Sequence, residues 1–503
     1  MPQLITPQGS ELVVALVCPL GTDRELVIRA LKDQLKSFDY AMKEIRVSSL
    51  FPKLGNLGVE LKDEPEFDRI DSRMKAGNLA RKLAGRQDFA ALAAISEVAK
   101  SRQVDKQDEP LPFHNTALVI DSLKRPEEVT TLRRIYGAGF FLVGVYASEA
   151  TRLRYLVDDK HIAIKDAQAL IERDENEDDP NGQRTRETFH LADVFISLED
   201  DSAHSSYKRQ ITRFLNLVFG HPHETPTMDE HCMHLAYSSA LRSADLSRQV
   251  GAVIATADGD ILAVGCNDVP KTGGGQYWLG PGDHRDGSKD EDSNQANRER
   301  IVDDTITRLL GDVTEEEREQ ARVRLDNGLL SEITEYGRAV HAEMEALLSC
   351  GRNGTSTKSA QLFTTTFPCH NCARHIVAAG LSRVVYVEPY PKSKASTLHD
   401  DSIVLKDRET GADSKRVVFE PFIGVGPRRY VDLFSMSLGF GARKKRKQGA
   451  KRIEWDSSTA SVRVPMLPVS YIDRERIAIS DIDHIVRNLG ESNNAAHEGQ
   501  EHS

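Results

Sequence analysis

His341-Ala342-Glu343 and, beyond a gap with room for a helix, a turn and a strand, Phe367-Pro368-Cys369-His370-Asn371-Cys372 decide how this chain reads. Met344, Leu347 and Leu348 give the first segment an apolar helical stripe, and Gly351 is placed to end it. Leu362-Phe363-Thr364-Thr365-Thr366 is a short β-rich run, and Pro368 suits the start of a second helix. Cys369 and Cys372 then share one face of that helix's first turn, where unpaired N–H groups favour thiolates. His341 adds a neutral nitrogen ligand. Three protein ligands leave a fourth tetrahedral position open, which is the layout of a catalytic Zn2+ site rather than a structural one. Zinc there lowers the pKa of water towards neutrality. Glu343 is not needed as a ligand and is placed to move protons.

Composition sets the outer bounds. A chain of 503 residues holds two or more domains. A formal net charge of −11 argues against a constitutive nucleic-acid coat. With 28% charged and 39% hydrophobic residues it reads as an ordinary soluble protein. The six cysteines are scattered, two are claimed by the metal, and they form no disulfide framework. Neither a signal peptide nor an apolar run long enough for a bilayer is seen, so a cytoplasmic setting without a membrane partner is expected.

The front of the chain alternates strands and helices. Glu11–Cys18 (ELVVALVC) reads as a buried strand, followed by Pro19-Leu20-Gly21-Thr22-Asp23 and a helical pattern from Glu25 to Leu35. Strand, tight loop and helix is the layout of a phosphate-binding P-loop. The residues depart from it: with Gly21 as the second glycine, Thr22 stands at the lysine and Asp23 at the magnesium-binding hydroxyl. Kinase activity is not expected of such a loop. Asn115–Ile120, Phe140–Tyr146 and Ala192–Ile196 read as further strands, implying a doubly wound parallel sheet. Asp121 ends its strand where a nucleotide-binding acid or a solvated loop acid belongs. Glu172–Asp179 reads as an acidic surface loop, and Gly220–Thr227 as the domain boundary.

The second domain opens on a helix, Met228–Leu241, whose His231, Cys232 and His234 do not converge on one face. Strands Val250–Thr256 and Ile261–Gly265 follow, joined by an Ala257–Asp260 hairpin. The order RQVGAVI, GCN, HAE, FPCHNCARHIVAAGLSRVVYVEP, over roughly Met228–Tyr390, resembles the deoxycytidylate deaminases of the cytidine deaminase superfamily. The resemblance implies an α/β/α sandwich, zinc on His341, Cys369 and Cys372, and Glu343 as proton shuttle. It aligns Asn267 with the family's asparagine that contacts the sugar of the substrate; a turn residue closing the strand is the other reading. With the front half (IDSLKRPEEVTTLRRIYG, FHLADVFI) and YPKSKASTLHDDSI included, the chain resembles bacterial anti-phage dCTP/dCMP deaminases carrying an N-terminal degenerate P-loop, kinase-like domain.

The expected domains are therefore 1–222, P-loop-like, and 223–440, deaminase-like with an insertion at 271–340, followed by a tail at 441–503. The insertion reads as a lid with phosphate contacts or as a surface excursion; its Arg285 and Arg298 read as contacts for substrate phosphates or, as is usual for arginines on a polar loop, as solvated. Val417–Ile423 is expected as an edge strand. The basic run Arg443–Lys447, with Lys451 and Arg452, reads as a solvated tail or as a surface for RNA or nucleotide phosphates, and Gly490–Ser503 as disordered.

The implied reaction is hydrolytic deamination of dCMP or dCTP, draining the deoxycytidine nucleotide pool during phage infection. The implied partners are the nucleotide, further copies of the chain in a homo-oligomer, and an inhibitory RNA or protein. A tRNA or single-stranded DNA deaminase, a binding module with a vestigial site, and a bifunctional kinase–deaminase are the alternatives. Low aromatic content, 6%, and the RQVGAVI and GCN context count against the first. The intact ligand set counts against the second, and Thr22 and Asp23 against the third.

Overall fold

The computed structural model describes residues 9–54, 59–199, 206–289, 292–311, 313–326, 336–387, 393–406, 415–438, 443–468 and 470–481. The chain forms two compact units. One comprises Met1–Glu230, Val387–Lys392 and Pro421–Ser503; the other comprises His231–Tyr386 and Ser393–Glu420.

In the first unit, apolar runs without alternation become strands buried on both faces, as parallel sheets require. The strands are β1 (Leu12–Val17), β2 (Ala41–Arg46), β3 (Thr116–Asp121), β4 (Phe140–Tyr146) and β5 (Val194–Ser197). They run parallel in the order β5-β4-β1-β3-β2. Every residue of β1 and β4 is buried, whereas in β2, at the edge, only Ile45 is buried. The helix Ser206–Val218 packs Phe214 and Leu217 into the same core as Leu12 and Val14.

The second unit is built on a mixed sheet. Its strands are β6 (Gly251–Ala255), β7 (Ile261–Cys266), β8 (Gln361–Thr364), β9 (Arg383–Tyr386), β10 (Ile403–Leu405) and β11 (Val417–Pro421), in the order β10-β11-β9-β8-β6-β7. β6 is antiparallel to β7 and β8, and β8 is parallel to β9. Gly259, at φ 93°, turns the β6–β7 hairpin. The helix Ala342–Arg352 lies on β6 and β7, with Ala342, Ala346 and Cys350 in a core shared with Leu362, Ile376 and Phe419.

Several expectations are corrected. Val417–Pro421 is not an edge strand, because the three-residue β10 flanks it. Glu172–Glu175 belong to the helix Ile164–Glu175, and Asp174 is wholly buried against Lys124, with Nζ to Oδ1 at 2.8 Å. The chain beyond Pro421 returns to the first unit. There β12 (Gly424–Val425) pairs antiparallel with β5, and Leu433, Phe434 and Val462 join its core. The basic run leads into a hairpin, Lys447–Gln448 with Lys451–Arg452, and is exposed as a solvated run would be, except that Lys444 is buried, donating to the Leu433 carbonyl at 2.6 Å; Arg446 donates to Pro222 O at 2.8 Å. Residues 470–481 are helical. Gly490–Ser503 lies outside the described residues. No described helix is long and apolar enough to cross a membrane.

Candidate metal centre and its cleft

Two helix N-termini build the site. His341 is the N-cap of Ala342–Arg352, and Cys369 is the N-cap of His370–Ala378, its Sγ accepting from Cys372 N–H at 3.4 Å. Pro368 thus falls just ahead of the helix, where its missing N–H is harmless. His341 is held from behind by Val340, which exchanges two backbone hydrogen bonds with Asp268 at 2.9 and 3.2 Å. The Cys369 side is held by Phe367, edge-on to Tyr386 at 4.7 Å between centroids, and by Thr365, whose N–H donates to Gly251 O at 3.0 Å.

His341 Nδ1 lies 3.4 Å from Cys369 Sγ and 3.3 Å from Cys372 Sγ, and the three donor atoms fall within 4.8 Å of one another. Ordinary zinc–nitrogen and zinc–sulfur bonds at the tetrahedral angle put such atoms about 3.5 Å apart. Among the described residues this is the one such group, and His231, Cys232 and His234 do not form another. The donor chemistry agrees with the spacing. The Cys372 thiol and the His341 ring together hold the Cys369 thiol down to about 3. Cys372 is pushed up by the Cys369 sulfur, by burial and by the Glu343 carboxylate, which all oppose a second anion. A divalent cation among them removes that opposition. The residues fit zinc.

Glu343 sits one residue into the first helix, 3% exposed, with Oε2 accepting from Cys372 Sγ at 3.4 Å. Burial pushes its carboxyl up from the usual range. It faces a cleft of about 290 Å³ that also touches His341, Cys369, Phe367 and Asn267. Asn267 is buried: its Oδ1 accepts Val250 N–H at 2.7 Å and its Nδ2 donates to Arg248 O at 2.8 Å. The side chain therefore ties the end of β7 to the start of the RQVGAVI segment beside it, at the open end of the hairpin, while one N–H and one lone pair of the amide stay available to the cleft.

The structure brings together all five residues singled out from sequence. The insertion supplies a wall of the cleft, one of the two readings of the sequence: the helix Ser293–Leu310, capped by Asp292 accepting from Asn294 N–H at 2.8 Å, brings Arg298 into the cleft, and Arg338 joins it. Arg285 instead pairs with Asp283 at 2.7 Å. Arg248 also lines the cleft, and its place in RQVGAVI was the available signal.

Residues 226–388 match the family model described as cytidine and deoxycytidylate deaminase zinc-binding region. ComE operon protein 2 of Bacillus subtilis (strain 168) is 38% identical over 65 residues, 13% of this chain and 34% of that protein. The deoxycytidylate deaminase of Homo sapiens is 26% identical over 169 residues, 33% of this chain and 69% of that one. A solved structure of the dCMP deaminase from the cyanophage S-TIM5, in complex with dCMP and dUMP, is similar at 20% identity, covering 40% of this chain and 100% of that one at TM-score 0.24. The chain spans about a third of the length of the first curated relatives it matches, 34% and 29%.

Proposed function

We propose, on the premise that residues 226–388 belong to the cytidine and deoxycytidylate deaminase family, that this chain hydrolyses the exocyclic amine of a deoxycytidine nucleotide. Water is consumed, ammonia leaves, and a deoxyuridine nucleotide remains. The observation that carries the reading is a buried carboxylate, Glu343, set beside three converging metal donors and open to the same cleft.

His341, Cys369 and Cys372 would hold zinc, which supplies a Lewis-acid centre that makes hydroxide accessible near neutral pH. Glu343 takes the proton of the attacking water and returns protons to the ring nitrogen and the departing amine. Its burial keeps competing water away from those transfers. Asn267 offers its remaining amide N–H to the sugar. Arg248, Arg298 and Arg338 supply positive charge for the phosphate end of the substrate.

The finer proposal is that dCMP, dCTP or both are drained during phage infection, in the cytoplasm, by a homo-oligomer subject to an inhibitory RNA or protein. Six free cysteines support a reducing compartment. The proposed domain division is a P-loop-like front at 1–222, the zinc domain at 223–440 and a tail at 441–503.

The test is an ammonia-release assay on the purified protein and Glu343→Ala, with zinc content measured in both. Substrates are dCMP, dCTP, CMP, CTP and a cytosine-containing single-stranded oligonucleotide. Ammonia from dCMP or dCTP, absent in a zinc-loaded Glu343→Ala, supports the reading. Activity on the oligonucleotide alone moves the function to nucleic-acid editing, and silence from zinc-loaded protein favours a binding module.

A further inference from the structure

In the first unit the chain leaves β1 towards β2, and leaves β3 towards β4 on the opposite side of the sheet. β1 and β3 are neighbours, so these departures open a crevice at their carboxyl ends, where open parallel sheets take ligands. Two cavities lie there, of about 130 and 400 Å³, sharing a wall made by Leu20, Arg24, Arg69 and Ile70.

We infer that this crevice binds a nucleoside phosphate, with the heterocycle in the inner cavity against Asp121 and the phosphate in the outer one among Arg46, Arg69 and Lys160. This inference does not rest on the deaminase reading.

The inner cavity has apolar walls, Phe51, Ile70 and Met74, suited to a planar ring. Its polar lining includes Arg73, Arg81, Lys124, Glu128 and Asp121, the last 1% exposed. Asp121 Oδ2 accepts Arg24 Nε–H at 2.6 Å, while Oδ1 has no hydrogen-bond partner among the described residues. A buried carboxylate oxygen without a donor is a costly arrangement, and an N–H on a ligand ring satisfies it. The outer cavity has an excess of cations, Arg24, Arg46, Arg69 and Lys160 against Glu25 and Glu66. Arg46 and Arg69 are oriented by Glu25 and Glu66, and Lys160 Nζ lies 5.3 Å above the Tyr155 ring. The buried Thr22 hydroxyl, also without a hydrogen-bond partner among the described residues, lines this cavity.

The loop after β1 does not itself offer a phosphate cradle. Leu20 N–H donates to Asp174 Oδ2 at 2.9 Å, and Thr22 N–H to Pro19 O at 3.1 Å. A carboxylate of the chain already occupies the loop, held by Lys124. Phosphate recognition is thereby displaced outward to the arginines, and with Thr22 where a transfer lysine would stand, the site binds a nucleotide without passing on its phosphate.

The test is calorimetric titration of full-length Glu343→Ala protein, in which turnover at the zinc site is removed. Ligands are the four deoxynucleoside triphosphates, ATP, GTP, the matching monophosphates and nucleosides, and pyrophosphate. At least one nucleotide should bind, weakened tenfold or more by Asp121→Asn and by Arg69→Ala, with its nucleoside and pyrophosphate each at least tenfold weaker. Because Asp121→Asn also disturbs the Arg24 pair, Lys160→Ala provides a variant outside the core and should weaken the same nucleotide several-fold. dCMP binding at the zinc cleft should be indifferent to Arg69→Ala. The inference is overturned if no nucleotide binding responds to Arg69→Ala and Lys160→Ala, or if pyrophosphate binds as tightly as the nucleotide.

Discussion

His341 and Cys369 hold the same station on two different helices: each is the N-cap residue, and His341 Nδ1 lies 3.4 Å from Cys369 Sγ. Two positive helix ends therefore meet at one point, and what they hold there also ties the helices together. Metal binding should accordingly stabilise the fold. With free zinc a thousandfold above its dissociation constant the gain is about 4 kcal/mol. Chelator-stripped protein should melt several degrees lower and recover on adding zinc. Cys372→Ser should show little zinc-dependent shift, and a zinc response as large as that of the parent would remove Cys372 from the ligand set.

Gly265 sets the position of Glu343, the proposed proton shuttle. A methyl added at Gly265 would come within 2.2 Å of Ala342 O and 2.7 Å of Ala346 N, both backbone atoms of the helix that carries Glu343. Neither atom can move without shifting that helix. Misplacement by about 1 Å costs on the order of 100-fold in rate. Gly265→Ala should therefore lower kcat by roughly that factor while protein and zinc are retained. Gly351→Ala, on the same helix with nothing within 4 Å, should leave kcat unchanged. Equal behaviour of the two variants in a steady-state assay would dismiss close packing as the cause.

Asn267 separates a structural role from a substrate contact. Asn267→Ala leaves Val250 N–H and Arg248 O without their 2.7 and 2.8 Å partners. Each buried group left unmade costs about 1–3 kcal/mol. Thermal melts should show that loss, and KM for the nucleotide should rise as the tie between β7 and Arg248–Val250 relaxes. Asn267→Asp keeps the acceptor for Val250 but sets a carboxylate oxygen against the Arg248 carbonyl, so it should be as damaging to stability. A variant of parental stability with a raised KM would make the sugar contact the dominant role.

The zinc motif was legible because its information is local: His341, Glu343, Cys369 and Cys372 need only the correct turn of two helices. β1 and β4 were legible because a strand buried on both faces must be apolar throughout. What escaped depends on distant partners. Asp174 sits in an acidic run that reads as solvated, and only Lys124 and Leu20 N–H, remote in sequence, explain its burial. Arg298 was discounted because the glycine- and aspartate-rich stretch before it hides a helix that starts at Ser293. The fate of the C-terminal segment was hidden for the same reason. Its apolar residues are sparse, and each finds its place only against the finished sheet.

That segment yields the last prediction. Arg102 is buried between two acids from opposite ends of the chain: Nη1 lies 2.6 Å from Glu11 Oε1, and Nε 2.7 Å from Glu475 Oε2. Glu11 precedes β1, and Glu475 lies on the helical residues 470–481. Burial pushes the Glu475 carboxyl up, against the opposing pull of Arg102 beside it. Removing the cation strands two buried carboxylates, at about 3–5 kcal/mol. Arg102→Met should therefore lower the denaturation midpoint sharply in urea, and adding Glu11→Gln and Glu475→Gln should restore much of it, since a neutral trio carries no stranded charge. Truncation after residue 466 should destabilise the first unit, because Arg102 then keeps Glu11 and loses Glu475. A truncated protein as stable as the full chain would return this segment to the status of a dispensable tail.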